Sequence, residues 1–261
     1  MPKVTGSSGG DGVQAVILTL RILEFLAEQR GPTGVTSLAE ALGTTKSRIF
    51  RHLRTLAGQG YIVQAADSER YQIGSQLVRL GRLVGDRLDL TSTAQPVLRE
   101  LRDTLGHAAV IGQVEAEGVR VLTRVPGKSA IEIQVKPGSL LAFHSSAQGK
   151  VALAFGEETQ RTQVLRSRLE MYTPHTIIKP GVLEEEIERT RRRGWAVAPN
   201  EAVIGLNALA APVFDAAGAL AGTIAVVDSI QFIAAEPSDQ QVRLTMTAAQ
   251  RVSEGLGYRR G

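Results

Sequence analysis

The segment SLAEALGTTKSRIFRHLRTLAG, residues 37–58, decides the fold. Ser37 stands three positions before Glu40, the spacing of a capping box, and so opens a short helix through Leu42. Gly43-Thr44-Thr45 then supplies a tight turn and a fresh N-cap, and a second helix runs to about Gly58. Two short helices joined through a glycine-containing turn predict a helix-turn-helix. At about 100° per residue, Ile49, Leu53 and Leu56 share one face of the second helix. Ser47, Arg48, Arg51, Arg54 and Thr55 fall opposite them.

That opposite face suits a nucleic acid. From Leu42 to Ala66 the chain carries Lys46, Arg48, Arg51 and Arg54 and no acidic residue. An arginine fork can grip guanine O6 and N7 in a major groove, and hydroxyls can hold phosphates. Arg51, nearest the centre of the exposed face, is the candidate for base contact, with Ser47 and Arg48 beside it. Thr45 and Lys46 stand at the positive end of the helix, where phosphate is favoured. Ser37, Thr44, Arg54 and Thr55 complete the candidate contacts. Taken alone, three arginines on a helix also fit a plain solvated face. The order of capped helix, glycine turn, acid-free amphipathic helix and basic-tipped hairpin favours DNA.

Upstream, Val13, Val16, Ile17, Leu20, Leu23 and Ala27 recur at three- and four-residue spacing and predict the buried face of a first helix, ended by Arg30-Gly31-Pro32. Downstream, Tyr61–Gln64 and Arg70–Ile73 are β-prone and flank a polar turn over 65–69, which reads as a wing. Arg70 at that wing is a further DNA candidate; Tyr71 fits packing equally well. Leu77, Leu80, Val84 and Leu88 continue at helical spacing and predict a linker helix over 75–90.

Past residue 90 the pattern alternates. A helix is expected from Ala94 to Leu105, a hairpin from Ala109–Val114 and Val119–Val125, and helices from Ser146 to Phe155 and Leu183 to Arg193. Leu206–Phe214 and Leu220–Val227 are nearly continuous apolar runs suited to a covered central sheet, and a last helix follows Ser238. The expected class is α+β. Its parts are a disordered start over 1–12, a winged helix-turn-helix over 13–74, the linker over 75–90, and an antiparallel sheet with flanking helices over 91–261.

Composition narrows the functions. The 261 residues carry a net charge of +4. Residues 1–90 hold 11 basic against 8 acidic side chains, a surplus of +3, and the remainder 19 against 18, a surplus of +1. The absence of cysteine excludes disulfides and thiolate chemistry, and four scattered histidines give no metal site, so neither cofactor nor metal is expected. No apolar run is long enough to cross a bilayer, and MPKVTGSSGGDG has no signal-peptide core; a cytoplasmic, membrane-free protein is expected.

Ser37–Glu40 through Arg51–Leu53, Gly60–Ile62 and Tyr71–Gly74 together resemble the isocitrate-lyase-regulator (IclR) family. Three stretches of the second half agree with its effector-domain signatures: His144–Lys150, Arg193–Val197 and Gly205–Asp215. The resemblance, from about Val13 onward, implies a winged helix-turn-helix, a linker helix, a GAF-like effector domain, and homodimers that pair into tetramers. It also implies a pocket for a small organic or aromatic effector. Mapped by motif, that pocket takes Ser146, Ala147 and Gln148, then Ala198 and Asn200, then Asn207 and Ala208, and finally Val226, Asp228 and Ser229. Members that bind very small oxoacids resemble a pattern with an acid near 198 and a cysteine at 208; both are alanine here, which favours a larger or aromatic effector. On the residues alone, Ser146–Lys150 opens a helix whose free amides suit an anion, or is simply capped by Ser145 or Ser146. Asn207, inside an apolar strand, needs a partner from backbone, water or ligand.

Catalysis finds no support. Gln148-Gly149-Lys150 lacks the leading glycine and the following hydroxyl of a phosphate loop, and Gly6-Ser7-Ser8-Gly9-Gly10 has no strand before it. Glu184–Glu188 before Arg191–Arg193 reads as an ion-paired face, with Glu188 and Arg192 at i,i+4 spacing. The expectation is a regulator that binds a double-stranded operator and responds to a small metabolite. The alternatives are an enzyme acting on that metabolite and a ligand-independent architectural DNA-binding protein.

Overall fold

A computed structural model describes residues 13–29, 31–66, 68–85, 89–128 and 135–259. The chain divides into two compact units, Met1–Arg87 and Leu88–Gly261. The disordered start expected over 1–12 lies outside the described residues.

The first unit contains helices α1 (Gln14–Glu28), α2 (Val35–Ala41), α3 (Lys46–Gly58) and α4 (Ser75–Gly85), with strands β1 (Thr33–Gly34), β2 (Ile62–Gln64) and β3 (Arg70–Ile73). The strands form an antiparallel sheet of order β1-β3-β2. Its core joins Leu18, Ile22 and Leu26 to Leu38, Ile49, Leu53, Ile62 and Tyr71. The expected stripe of α1 is therefore corrected: Val13, Val16, Ile17 and Leu20 are exposed, Leu23 is half-buried and Ala27 is exposed. The helix is apolar on both sides, and spacing alone does not say which side meets the core.

The expected capping box is also absent. Thr33 and Gly34 pair with Tyr71 and Arg70, so the chain enters α2 directly from β1, with Gly34 as N-cap and Ser37 already inside the helix. Gly43, at φ +62°, makes the turn into α3, a conformation a side chain at Cβ would strain. The helix expected over 75–90 is described as α4 as far as Gly85; Leu77 is half-buried and Leu80 exposed, while the side chain of Val84 and Leu88 lie outside the described residues.

The second unit begins with α5 (Leu90–Leu105), four residues before its expected start, because Asp89 accepts hydrogen bonds from the amides of Thr91 and Ser92. Next come β4 (Ala108–Glu115), β5 (Gly118–Val125) and β6 (Leu140–Leu141). Helices α6 (Ala147–Phe155), α7 (Glu158–Arg166) and α8 (Pro180–Arg193) follow. The chain closes with β7 (Ala196–Val197), β8 (Leu206–Phe214), β9 (Leu220–Ser229) and α9 (Asp239–Gly255). The strands make one antiparallel sheet of order β6-β5-β4-β9-β8-β7. Alternation along the strands sorts their side chains. Ile111, Leu209, Ala211, Ile224 and Val226 pack with α5 and α9, while Ala210 and Ala225 pack with Ala147 and Val151 of α6. On α8 the ion pairs run from Glu186 to Arg189 and Arg193 and from Glu188 to Arg191 and Arg161, in place of the expected Glu188–Arg192 pair.

Candidate nucleic-acid interface and ligand cavity

Helix α3 is seated by Ile49 and Leu53, both fully buried, and by Leu56. With that side fixed, Thr45, Lys46, Ser47, Arg48, Arg51, Arg54 and Thr55 are all exposed, and Thr44 is half-buried. Thr45 occupies the N-cap position, but its hydroxyl meets Ser47 Oγ at 3.3 Å instead of capping the helix. Ser37 on α2 and Arg70 on β3 are exposed as well, whereas Tyr71 is buried and packs. Among the described residues, none of Arg48, Arg51 and Arg54 forms an ion pair. On the flank of α3, His52 Nδ1 lies 2.7 Å from Thr19 Oγ1 of α1, and that hydroxyl also donates to the Ala15 carbonyl. Burial, then the charges of Arg48 and Arg51, hold the His52 imidazole below its ordinary value of 6.5.

In the second unit a cavity of about 350 Å³ opens between the start of α6, β8, β9 and the loop after β7. Six of the expected effector residues line it: Ser146, Ala147, Gln148, Ala198, Asn207 and Ala208. Ser146 caps α6, accepting from the Gly149 amide at 2.9 Å and donating to the Ala142 carbonyl at 2.7 Å. The amides of Ala147 and Gln148 then stand at the end of the helix that has no internal acceptors. Gly149 lets this helix start lie on the backbone of Ala142 and Phe143; a Cβ there would come within 2.5 Å of both carbonyl oxygens. Gln148 donates through Nε2 to the carbonyl and hydroxyl of Thr223, each at 3.0 Å.

Asn207 takes its partners from the backbone. Its Oδ1 accepts from the amides of Ala198 and Ala208, and its Nδ2 donates to the carbonyls of Ile233 and Ala234.

Four expected effector residues are not in the wall. Val226 is fully buried against α5 and α9, and its neighbour Val227 faces the cavity instead, because successive strand residues point to opposite faces. Asp228 shares the side of Val226 and accepts from His107 Nδ1 at 2.8 Å. Gln241 donates through Nε2 to the other nitrogen of His107, which places the ring proton on Nδ1. Asn200 has φ +59° and accepts from the Gly205 amide, a loop-forming role. Ser229 accepts from the Gln231 amide. Val135, Leu141, Ala202, Val203 and Leu206 complete an apolar wall that motif matching missed. Alternation from Ala208 across the paired strand would have pointed to Val227, since the two are directly opposite.

A wider groove of about 710 Å³ follows α9 and the end of β8, past Phe214, Met246 and Tyr258, and contains none of the expected residues. No cluster of three potential metal-ligating side chains occurs among the described residues.

A winged helix-turn-helix with a bare basic helix, in one chain with an α+β unit hollowed by an apolar cavity, defines a transcriptional regulator. Residues 16–66 match the IclR helix-turn-helix domain, and residues 83–254 match the bacterial transcriptional regulator IclR C-terminal domain. The chain belongs to the IclR family. It is 32% identical over 222 residues to the HTH-type transcriptional regulator BhcR of Paracoccus denitrificans, covering 85% of this chain and 79% of that one. Pseudomonas aeruginosa HmgR superposes with a TM-score of 0.76 at 27% identity over 94% of this chain and 99% of its own. An IclR homolog from Microbacterium hydrocarbonoxydans, solved in complex with 4-hydroxybenzoate, shares the fold: TM-score 0.59, 19% identity, 93% of this chain and 99% of that one.

Proposed function

We propose that this chain is a sequence-specific regulator of transcription whose grip on a double-stranded operator changes when a small organic or aromatic molecule enters the α6–β8–β9 cavity. The observation that carries the reading is the bare basic face of α3, free of acidic residues along its whole length. Arg51 reads bases, with Ser47 and Arg48 beside it; Thr45 and Lys46 at the helix start, together with Ser37, Thr44, Arg54, Thr55 and Arg70, hold the backbone. The cavity is walled by apolar side chains with Ser146, Gln148 and the first amides of α6 as its polar end. That arrangement suits an uncharged ring or chain bearing one acceptor or anionic group.

The protein works as a homodimer, paired further into a tetramer, in the cytoplasm and without enzymatic turnover. Val16, Ile17 and Leu20, apolar and exposed on α1, support self-association. Domains divide as 13–74 for DNA, 75–90 for the linker and 91–261 for the effector.

The test is a thermal-shift screen of monoaromatic and aliphatic acids, starting from 4-hydroxybenzoate. A compound specific for the native state raises apparent stability by mass action. Each stabilising compound is then titrated against the protein on a duplex selected by the protein from a random library. A change in duplex affinity is expected; equal affinity with and without every stabilising compound would sink the ligand half of the reading.

A further inference from the structure

Phe50 is the one large apolar side chain of α3 that the core does not take. Ile49, Leu53 and Leu56 seat the helix, while Phe50 remains 51% exposed. On the helix surface its neighbours at i−4 and i+4 are Lys46 and Arg54, Ser47 lies at i−3 and the buried Leu53 at i+3, so the ring stands at the border of the basic face, in its N-terminal half.

Its setting restricts what can cover it. A second copy of this same surface would bring Lys46, Arg51 and Arg54 against their own likenesses with no acid on α3 to neutralise them. A polyanion with apolar groups on its edge fits better, and duplex DNA offers one such group in the major groove, the C5-methyl of thymine.

We propose that Phe50 is a specificity-determining residue that packs its ring on a thymine methyl, so that the half-site pairs a guanine read by Arg51 with a neighbouring thymine read by Phe50. This rests on the assignment of α3 as the recognition helix. The ring adds preference without a hydrogen bond, because burying a methyl removes apolar surface from water whichever way the base edge donates or accepts.

The experiment uses the full chain and a duplex selected by the wild-type protein from a random library. Each thymine of the selected half-site is replaced in turn by deoxyuridine, which removes only the methyl. At one or two positions wild-type affinity falls about three- to fivefold, the size expected for one buried methyl. Phe50→Ala loses that penalty, Phe50→Leu keeps part of it, and Arg51→Ala keeps it while losing the guanine preference. The Leu variant also guards against misfolding of the Ala variant. A half-site without a methyl-sensitive thymine, or an undiminished penalty in Phe50→Ala, overturns the proposal. Failure of the wild-type protein to select any sequence overturns the recognition-helix assignment beneath it.

Discussion

Lys150 Nζ lies 2.5 Å from Glu201 Oε1 and 3.0 Å from the carbonyl oxygen of Val197, with both charged side chains almost wholly withdrawn from solvent. The pair ties α6 to the loop that follows β7, and each of these elements contributes one wall of the cavity. Burial pushes the Glu201 carboxyl above its ordinary value, against the opposing pull of the Lys150 charge. Thr173 and Thr176 hold the same loop by donating to the carbonyls of Asn200 and Glu201.

Removing one partner of such a pair leaves the other charge uncompensated. Lys150→Met is expected to lower unfolding free energy by about 3–5 kcal/mol, while Lys150→Met with Glu201→Leu regains most of it. The single variant loses more at pH 8 than at pH 5, because a protonated Glu201 needs no counter-ion and its raised value favours protonation in the folded state. Urea denaturation at the two pH values measures this; equal losses in the single and double variants would contradict it.

On the DNA side, Arg51→Ala should weaken binding to the selected duplex by about 1–3 kcal/mol and relax the preference for guanine at one position. Lys46→Ala should instead weaken all duplexes alike and reduce the slope of log affinity against log salt by about 1. Anisotropy titrations over a salt series separate the two; an unchanged base preference in Arg51→Ala removes it from the base-reading role.

Ala208 lines the cavity opposite Val227. Ala208→Leu should abolish the thermal shift caused by a stabilising compound yet leave duplex affinity without the compound unchanged, at a stability cost of about 1–3 kcal/mol from overpacking. A retained shift would place the ligand elsewhere, the groove along α9 being the next site to test.

His52 gives the first unit a pH dependence. Its folded-state value lies below the ordinary 6.5, so the unfolded chain binds the proton more readily. Stability contributed by the neutral ring is complete above 6.5 and falls as pH drops through 6.5 toward the folded-state value. Thermal midpoints of the first unit between pH 8 and pH 5 should show this fall, and His52→Gln should flatten it.

Element types were legible from residues alone. Period-2 and period-3.6 patterns and turn residues marked α3, α6 and α9, and β4, β5, β8 and β9, because local spacing sets which side chains share a face. Likewise the side of α3 that carries Lys46, Arg48, Arg51 and Arg54 was legible, since burying Ile49, Leu53 and Leu56 left the arginines only one way to face.

Phase and partnership were decided in three dimensions. Helix α1 is apolar on two sides, and only the neighbours Leu38, Leu53 and Tyr71 select Leu18, Ile22 and Leu26 as the buried one. Strand β9 is apolar on both faces from Ile224 to Val227, so spacing could not tell Val226 from Val227; the covering helices α5 and α9 take the first and leave the second to the cavity. Strands of two residues, β1, β6 and β7, exist because a partner strand pairs with them. A pocket built from Leu141, Ala198 and Val227 joins positions far apart in the chain, and the pairing of the sheet is what brings them to one wall.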